Sequence, residues 1–137
     1  MWLAEDDQIL ERSFLRLFTG RRGINQGLLT SRDGLLFGAA FGLSDDAAER
    51  LAAMAASVVG ASQSVPQAFA LDWGGDRHPF TVITTAGHHL LMYPVTSGLI
   101  GVLLVAQTTG LRRILIELAE LRELQPSARY RGRVDWR

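Results

Sequence analysis

The side chains that most often carry chemistry are largely absent from this sequence. There is no cysteine, so disulfides, thiolate nucleophiles and cysteine-ligated zinc are excluded. All 14 lysine-or-arginine positions are arginine, which holds its proton too tightly to act as a Schiff-base or general-base residue. Lysine-dependent catalysis is therefore excluded, and so is the lysine-containing phosphate loop of P-loop nucleotide hydrolases.

The remaining reactive residue types are not spaced for catalysis or metal binding. His88 and His89 are adjacent at a predicted strand start, so their side chains point to opposite faces and do not easily share a metal. The segment Thr96-Ser97-Gly98 lacks the context of a hydrolase nucleophile and is typical of a hairpin turn. We expect no catalytic residue, no metal site and no cofactor, because no nucleophile has a visible base partner.

Arg21 and Arg22 stand between two glycines, and this arrangement has two interpretations. Such a pair fits an anion-binding nest of backbone amides. More often, a pair of this kind compensates the negative end of a helix that has just ended. We favour the second interpretation.

The composition describes one soluble domain, which we place in residues 1–125. The chain is 47% hydrophobic and 20% charged, and no apolar run reaches the roughly 18 residues that a membrane span requires. The start, MWLAEDD, is acidic and lacks the features of a secretory signal, so we expect a cytoplasmic protein. A net charge of zero argues against a dedicated nucleic-acid binder.

An arginine-rich tail, residues 126–137, differs in composition from the rest. Basic and aromatic side chains interleave in it, at Arg129, Tyr130, Arg131, Arg133 and Trp136. That pattern suits an acidic partner surface or phosphates. A tail that folds against its own subunit, or that is disordered, is the interpretation we favour.

Three segments have the periodicity of helices. Residues 5–18 and 109–124 are amphipathic, and the second places Arg113 one turn before Glu117, where the two form an ion pair. A longer helix starts at Ser44, whose hydroxyl suits an N-cap and is followed by two acids in the first turn. It should continue to about Gln63, because Pro66 interrupts a helix.

Five segments read as strands and complete the order α-ββ-α-βββ-α. The first two are joined by Arg32-Asp33-Gly34, since Asp-Gly between strand-length apolar runs indicates a hairpin. The other three are rich in β-branched and aromatic residues. They predict a five-stranded antiparallel sheet covered by helices, an α+β fold. The segments are residues 24–31, 35–41, 78–86, 89–96 and 99–106.

The long helix is apolar or small on two sides. One stripe, the natural face to lie on the sheet, consists of Ala47, Leu51, Met54, Val58 and Ala61. The opposite side carries Ala53, Ala56, Ser57 and Gly60, with only Glu49 and Arg50 nearby. A single sheet leaves no element of this chain to cover that side, so we predict a second copy related by a two-fold axis. The alternative is that alanine is present only as the best helix former.

The stretch LLTSRDGLLFGAAFGLSDDAAERLAAMAA, together with this element order, resembles the Roadblock/LC7 family, in particular the bacterial members related to partner proteins of Ras-like GTPases. The resemblance implies a profilin-like sandwich that forms homodimers. In these dimers the long helices pair, here residues 44–63, and the next strand, 78–86, extends one sheet into the other. The dimer or partner interface is then predicted at Glu49, Ala53, Ala56, Ser57, Gly60, Phe80 and Val82.

The resemblance further implies a non-enzymatic adaptor or regulator that binds a small Ras-like GTPase and modulates its nucleotide cycle or localisation. The alternative is a domain that senses a small molecule in a pocket between sheet and helix. Five bulky residues fill the core in the first case and line the pocket in the second. They are Phe37, Phe41, Phe80, Met92 and Tyr93.

Overall fold

A computed structural model describes residues 5–68, 80–96 and 98–123 of the chain. Within them the predicted order of elements is confirmed. The elements are α1 (Glu5–Phe18), β1 (Ile24–Ser31), β2 (Leu36–Phe41), α2 (Asp45–Ala68), β3 (Thr81–Thr85), β4 (His88–Pro94), β5 (Leu99–Ala106) and α3 (Leu111–Glu123). The predicted tail, residues 126–137, lies outside the described residues, as do residues 78 and 79 of the third predicted strand.

The strands form one antiparallel sheet in the order β2-β1-β5-β4-β3, which confirms the α+β prediction. β1 and β5 pair with each other in the middle of the sheet, although they are the first and last strands in the chain. β2 and β3 are the two edge strands. Among the described residues no helix is long and apolar enough to cross a membrane.

The helices cover both faces of this sheet, so the described residues form three layers. On one face α1 and α3 pack through Phe14 and Leu118 against strand residues such as Leu91 and Leu103. On the other face α2 lies alone over a second cluster that includes Met92. Alternate strand residues feed the two clusters, as the two-residue period of a strand requires.

Local chemistry sets the ends of the elements. Ser44 caps α2, because its hydroxyl oxygen accepts the Ala47 N–H at 3.2 Å. The Arg32-Asp33-Gly34 turn is confirmed as the β1–β2 connection. In it the Gly34 N–H donates to the Ser31 carbonyl at 3.0 Å, and Gly34 has the positive φ of 86° that favours glycine.

The predicted end of α2 is wrong. The helix continues to Ala68 and passes through Pro66. A proline at this position removes the single N–H that would have bonded to the carbonyl of Ser62, and that loss falls close to the end of the helix. Ser62 and Thr81 also join this part of α2 to β3, since their hydroxyl oxygens lie 2.8 Å apart.

We expect Ser44→Ala to lower the free energy of unfolding by about 1 kcal/mol, because alanine leaves the Ala47 N–H without its cap. Ser44→Asp keeps an acceptor at the same position and adds a negative charge at the positive end of the helix, so it should retain wild-type stability. Urea denaturation followed by circular dichroism measures both. An equal loss in the two variants would contradict the capping role.

Candidate protein-binding surface on the second helix and the third strand

The face of α2 that lies on the sheet is an alanine stripe. Ala48, Ala52, Ala55 and Val59 are buried against a cluster of bulky strand residues. The cluster residues contributed by the strands are Leu28, Leu90, Met92, Ile100 and Val102. Small helix residues and bulky strand residues fill the space together, so the helix axis lies close to the sheet.

The predicted sheet-facing stripe of Ala47, Leu51, Met54, Val58 and Ala61 is therefore correct only in part: Leu51 and Val58 are half-buried and pack against this cluster. The observed stripe is displaced by one position, or about 100° around the helix. Met54 is 39% exposed and Ala61 is exposed. Hydrophobicity ranks Met, Leu and Val above Ala, but steric fit to the large side chains of the sheet selected the alanines.

The opposite face of α2 carries most of the predicted interface residues. Glu49, Ala53, Ser57 and Gly60 are exposed, and Ala56 is half-buried on the flank of the helix. A Cβ built on Gly60 would meet no atom within 4 Å. The hydroxyl of Ser57 donates to the Ala53 carbonyl at 3.3 Å, so it turns toward the helix backbone. The result is a smooth surface of small side chains, which we call the outer face of α2.

The two predicted interface residues near β3 lie on the other side of the sheet. Phe80 is half-buried and stacks on Tyr93, with ring centroids 4.3 Å apart. Val82 is 42% exposed and pairs with Leu91, a residue of the core beneath α1 and α3. The structure thus does not bring Phe80 and Val82 together with the outer face of α2.

Two further apolar residues of α2 and β3 were not among the predicted interface residues. Ile83 is half-buried in β3 and packs against the α2 cluster, and Met54 is partly exposed on α2. The alternation of a strand was the available signal for Ile83, since it follows Val82 and points to the opposite face. Met54 carried no such signal, because its exposure depends on the orientation of α2.

The two edges of the sheet differ in regularity. β3 pairs with β4 without interruption from Thr81 to Thr85. β2 shifts register against β1 between Leu28 and Thr30, and Gly38, within β2, has a positive φ of 72°. A bulged strand is a poor template for a further strand, whereas β3 presents a regular row of backbone groups.

Polar side chains elsewhere are engaged with one another. Arg21 donates to Glu117 at 2.5 Å, and Arg113 lies 3.4 Å from the other carboxylate oxygen of Glu117, which confirms the predicted Arg113–Glu117 pair. The hydrogen bond to Glu117 raises the pKa of Arg21. Arg21 therefore joins the α1–β1 loop to α3, and neither of the two sequence interpretations anticipated that contact.

The two histidines in the described residues each contact a side chain of another strand. His88 contacts Asn25 at 3.3 Å, and His89 contacts Thr84 at 2.9 Å. His78 lies outside the described residues. No cluster of three metal-ligating side chains occurs within the described ranges.

The bulky residues that left a small-molecule pocket open as an alternative are part of the core. Phe37, Met92 and Tyr93 are buried, and Phe41 and Phe80 pack against the core beneath α1 and α3. Beside the outer face of α2 there is a shallow surface depression of about 500 Å³, lined by Asp46, Glu49, Arg50 and Ala53.

The orientation of α2 is tested by two alanine-to-leucine changes. Ala55 is fully buried on the sheet, so Ala55→Leu should lower the free energy of unfolding by about 1–3 kcal/mol through overpacking. Ala61 is exposed, so Ala61→Leu should change it by less than about 0.5 kcal/mol. Urea denaturation at a fixed protein concentration gives both values. The reverse order of effects would support the stripe predicted from hydrophobicity.

Comparison with solved structures identifies the fold. A Roadblock/LC7 domain from Streptomyces avermitilis superposes with a TM-score of 0.71 at 23% identity, over 82% of this chain and 91% of that one. MglB from Myxococcus xanthus gives a TM-score of 0.71 at 18% identity, over 90% of this chain and 88% of that one. An MglB protein in a tetrameric arrangement gives 0.66 at 18% identity, over 93% and 92% of the two chains.

Comparison of the sequence with protein-family models identifies the family. No curated protein sequence matches the chain. The family model for the Roadblock/LC7 domain matches residues 12–116, a range that begins in α1 and ends in α3. That range includes every strand of the sheet, the alanine stripe and the outer face of α2. The chain belongs to the Roadblock/LC7 domain family.

Proposed function

We propose that the protein is a non-enzymatic homodimeric adaptor that binds a small Ras-like GTPase and modulates its nucleotide cycle or localisation. Family membership supports the class of function, since the resemblance implies scaffolds and regulators of small GTPases. The observation that carries the dimer is the outer face of α2, which is exposed and carries only small side chains at Ser57 and Gly60.

The proposed dimer pairs the two outer faces of α2. Gly60 carries no side chain and Ser57 only a small one, so two helices can approach to the short end of the usual axial range of about 8–10 Å. Ser57 lies midway between Ala53 and Ala61 on the exposed side, and we place the two-fold axis beside it. Met54 then adds buried apolar area at the flank of the contact.

The same axis joins the two sheets. If both α2 helices lie on one side and the sheets are continuous, the axis is perpendicular to the sheet, and the two β3 strands run antiparallel. β3 is suited to this role because it is regular, uncharged from Thr81 to Thr85, and unpaired on its outer side within the described residues. The bulge in β2 leaves the other edge a poorer template.

We infer that the adaptor has no catalytic activity of its own. The chain has no cysteine or lysine, and the histidines at positions 88 and 89 contact the side chains of Asn25 and Thr84. Any effect on GTP hydrolysis would then arise through the conformation of the partner.

A single introduced thiol tests the dimer, because the wild-type chain contains no cysteine. Under mild oxidation Ser57→Cys should form a disulfide-linked dimer, since the proposed axis places the two copies of this residue together. Glu120→Cys, at an exposed position of α3, serves as the matched control and should remain monomeric on non-reducing gels. Equal cross-linking of both variants, or none at position 57, would contradict the proposed axis.

Binding to a GTPase is tested with purified small Ras-like GTPases, each loaded with GDP or with a GTP analogue. We expect the purified chain to retain such a GTPase in a pull-down, and the amount retained to differ between the GDP-loaded and GTP-analogue-loaded forms. Phosphate release by the GTPase, with and without the chain, then measures any effect on hydrolysis.

A variant that disrupts the dimer is included in this experiment. It is Gly60→Arg, which places a long charged side chain in the outer face of α2, where a Cβ would meet no atom of the core. It should abolish the dimer and leave the circular dichroism spectrum unchanged. Failure to retain a GTPase in either nucleotide state would argue against the adaptor function and leave the dimer standing.

A further inference from the structure

One end of the sheet brings together four connections of the chain, and we call it the loop end. Backbone hydrogen bonds join Ala106 N–H to the Gly23 carbonyl and Gln107 N–H to the Gly87 carbonyl, both at 2.8 Å. The Gln26 side-chain amide donates to the Gly42 carbonyl at 3.0 Å. The last turn of α1 and the first turns of α2 and α3 therefore all lie at this end, α1 and α3 on one face of the sheet and α2 on the other.

The α1 and α3 side of the loop end carries an arginine patch, composed of Arg16, Arg22, Arg112 and Arg113, all exposed. The first turn of α3 contains two of them and no acid, although the positive end of a helix dipole disfavours cations. The nearby acid is Glu117, and it is already held by Arg21 and Arg113. Within the described residues the other three arginines of the patch have no acidic partner.

The α2 side of the same end carries an acidic patch, composed of Asp45, Asp46 and Glu49, all exposed. Arg50 is the basic residue beside it, and its Nε lies 3.5 Å from the backbone carbonyl of Asp46, not from a carboxylate. The chain has a net charge of zero, yet at this end positive and negative charge are separated by the thickness of the sheet.

We propose that two copies of the chain associate through their loop ends, with the arginine patch of each copy on the acidic patch of the other. A two-fold axis in the plane of the sheet, perpendicular to the strands, turns one copy over and sets opposite charges together at both contacts. An axis perpendicular to the sheet would set arginine against arginine. Because both patches lie at one end and on opposite faces, the surface is complementary to itself.

This contact differs from the proposed lateral dimer. It shares only Glu49, in the second turn of α2, with the outer face of that helix, and it uses neither Ser57 nor the edge of β3. It depends on exposed charges instead of close packing. Salt screens such charges, so the association weakens as ionic strength rises. The lateral contact, built on small apolar side chains, responds little to salt.

The experiment uses two variants of the full chain, and each of them reverses the charge of two residues in one of the two patches. One variant carries Arg22→Glu and Arg112→Glu, and the other carries Asp45→Arg and Asp46→Arg, two acidic-patch positions that lie outside the outer face of α2. When two copies of the same variant meet at their loop ends, the changed residues face charges of their own sign. We therefore expect the association constant of each variant to fall by at least about tenfold relative to wild type. An equimolar mixture sets opposite charges together at both contacts and should restore it. Sedimentation velocity at low and high salt measures the species.

Two controls keep the outcome specific. Glu120→Arg, on α3 but outside both patches, should leave association unchanged, and Arg22→Lys with Arg112→Lys should retain it. Arg112→Glu also suits the helix dipole, so loss of association in that variant does not arise from unfolding of α3. The proposal is overturned if wild type sediments identically at low and high salt, or if the mixture behaves as the sum of its two variants.

Discussion

The close packing of the alanine stripe of α2 on the sheet determines which surfaces this protein presents. Ala48, Ala52 and Ala55 are almost fully buried, and they lie over large side chains such as Met92 and Ile100. A helix held this close leaves no room for a pocket beneath it at these positions. It also fixes the rotation of the helix, so that Ala53, Ser57 and Gly60 face outward. The outer face is thus a consequence of how the inner face fits.

How much of the structure could be predicted depended on whether the determining interactions were local. The N-cap at Ser44 and the turn at Asp33-Gly34 are set by neighbouring residues, and both were found from the sequence. The rotation of α2 is set by side chains of the strands beneath it, and the predicted stripe was displaced by one position from the fully buried one. The predicted interface residues divide in the same way: most of those on α2 are exposed, whereas Val82 pairs with a strand residue of the core beneath α1 and α3 and so lies on the other face of the sheet.

The edges of the sheet show how one chain permits association at one side and discourages it at the other. A strand at an edge exposes unpaired backbone groups, and these invite another strand unless the edge is irregular. β2 is irregular because Gly38 takes a left-handed conformation, and the carboxylate of Glu11 lies against it. β3 has neither feature. A second copy at β3 would therefore complete the sheet, and the bulge at β2 would stop the addition there.

The proposed lateral dimer and the proposed loop-end contact are compatible, because they use different symmetry axes. The lateral axis is perpendicular to the sheet and makes the two β3 strands antiparallel, which puts the loop ends of the two copies at opposite ends of the joined sheet. Each lateral dimer then carries two free loop ends that point away from each other. An assembly that uses both contacts is therefore not closed, because each lateral dimer that is added leaves another loop end free. Packing at α2 and β3 would thus set the size of the basic unit, and the salt-sensitive contact would set how many units associate.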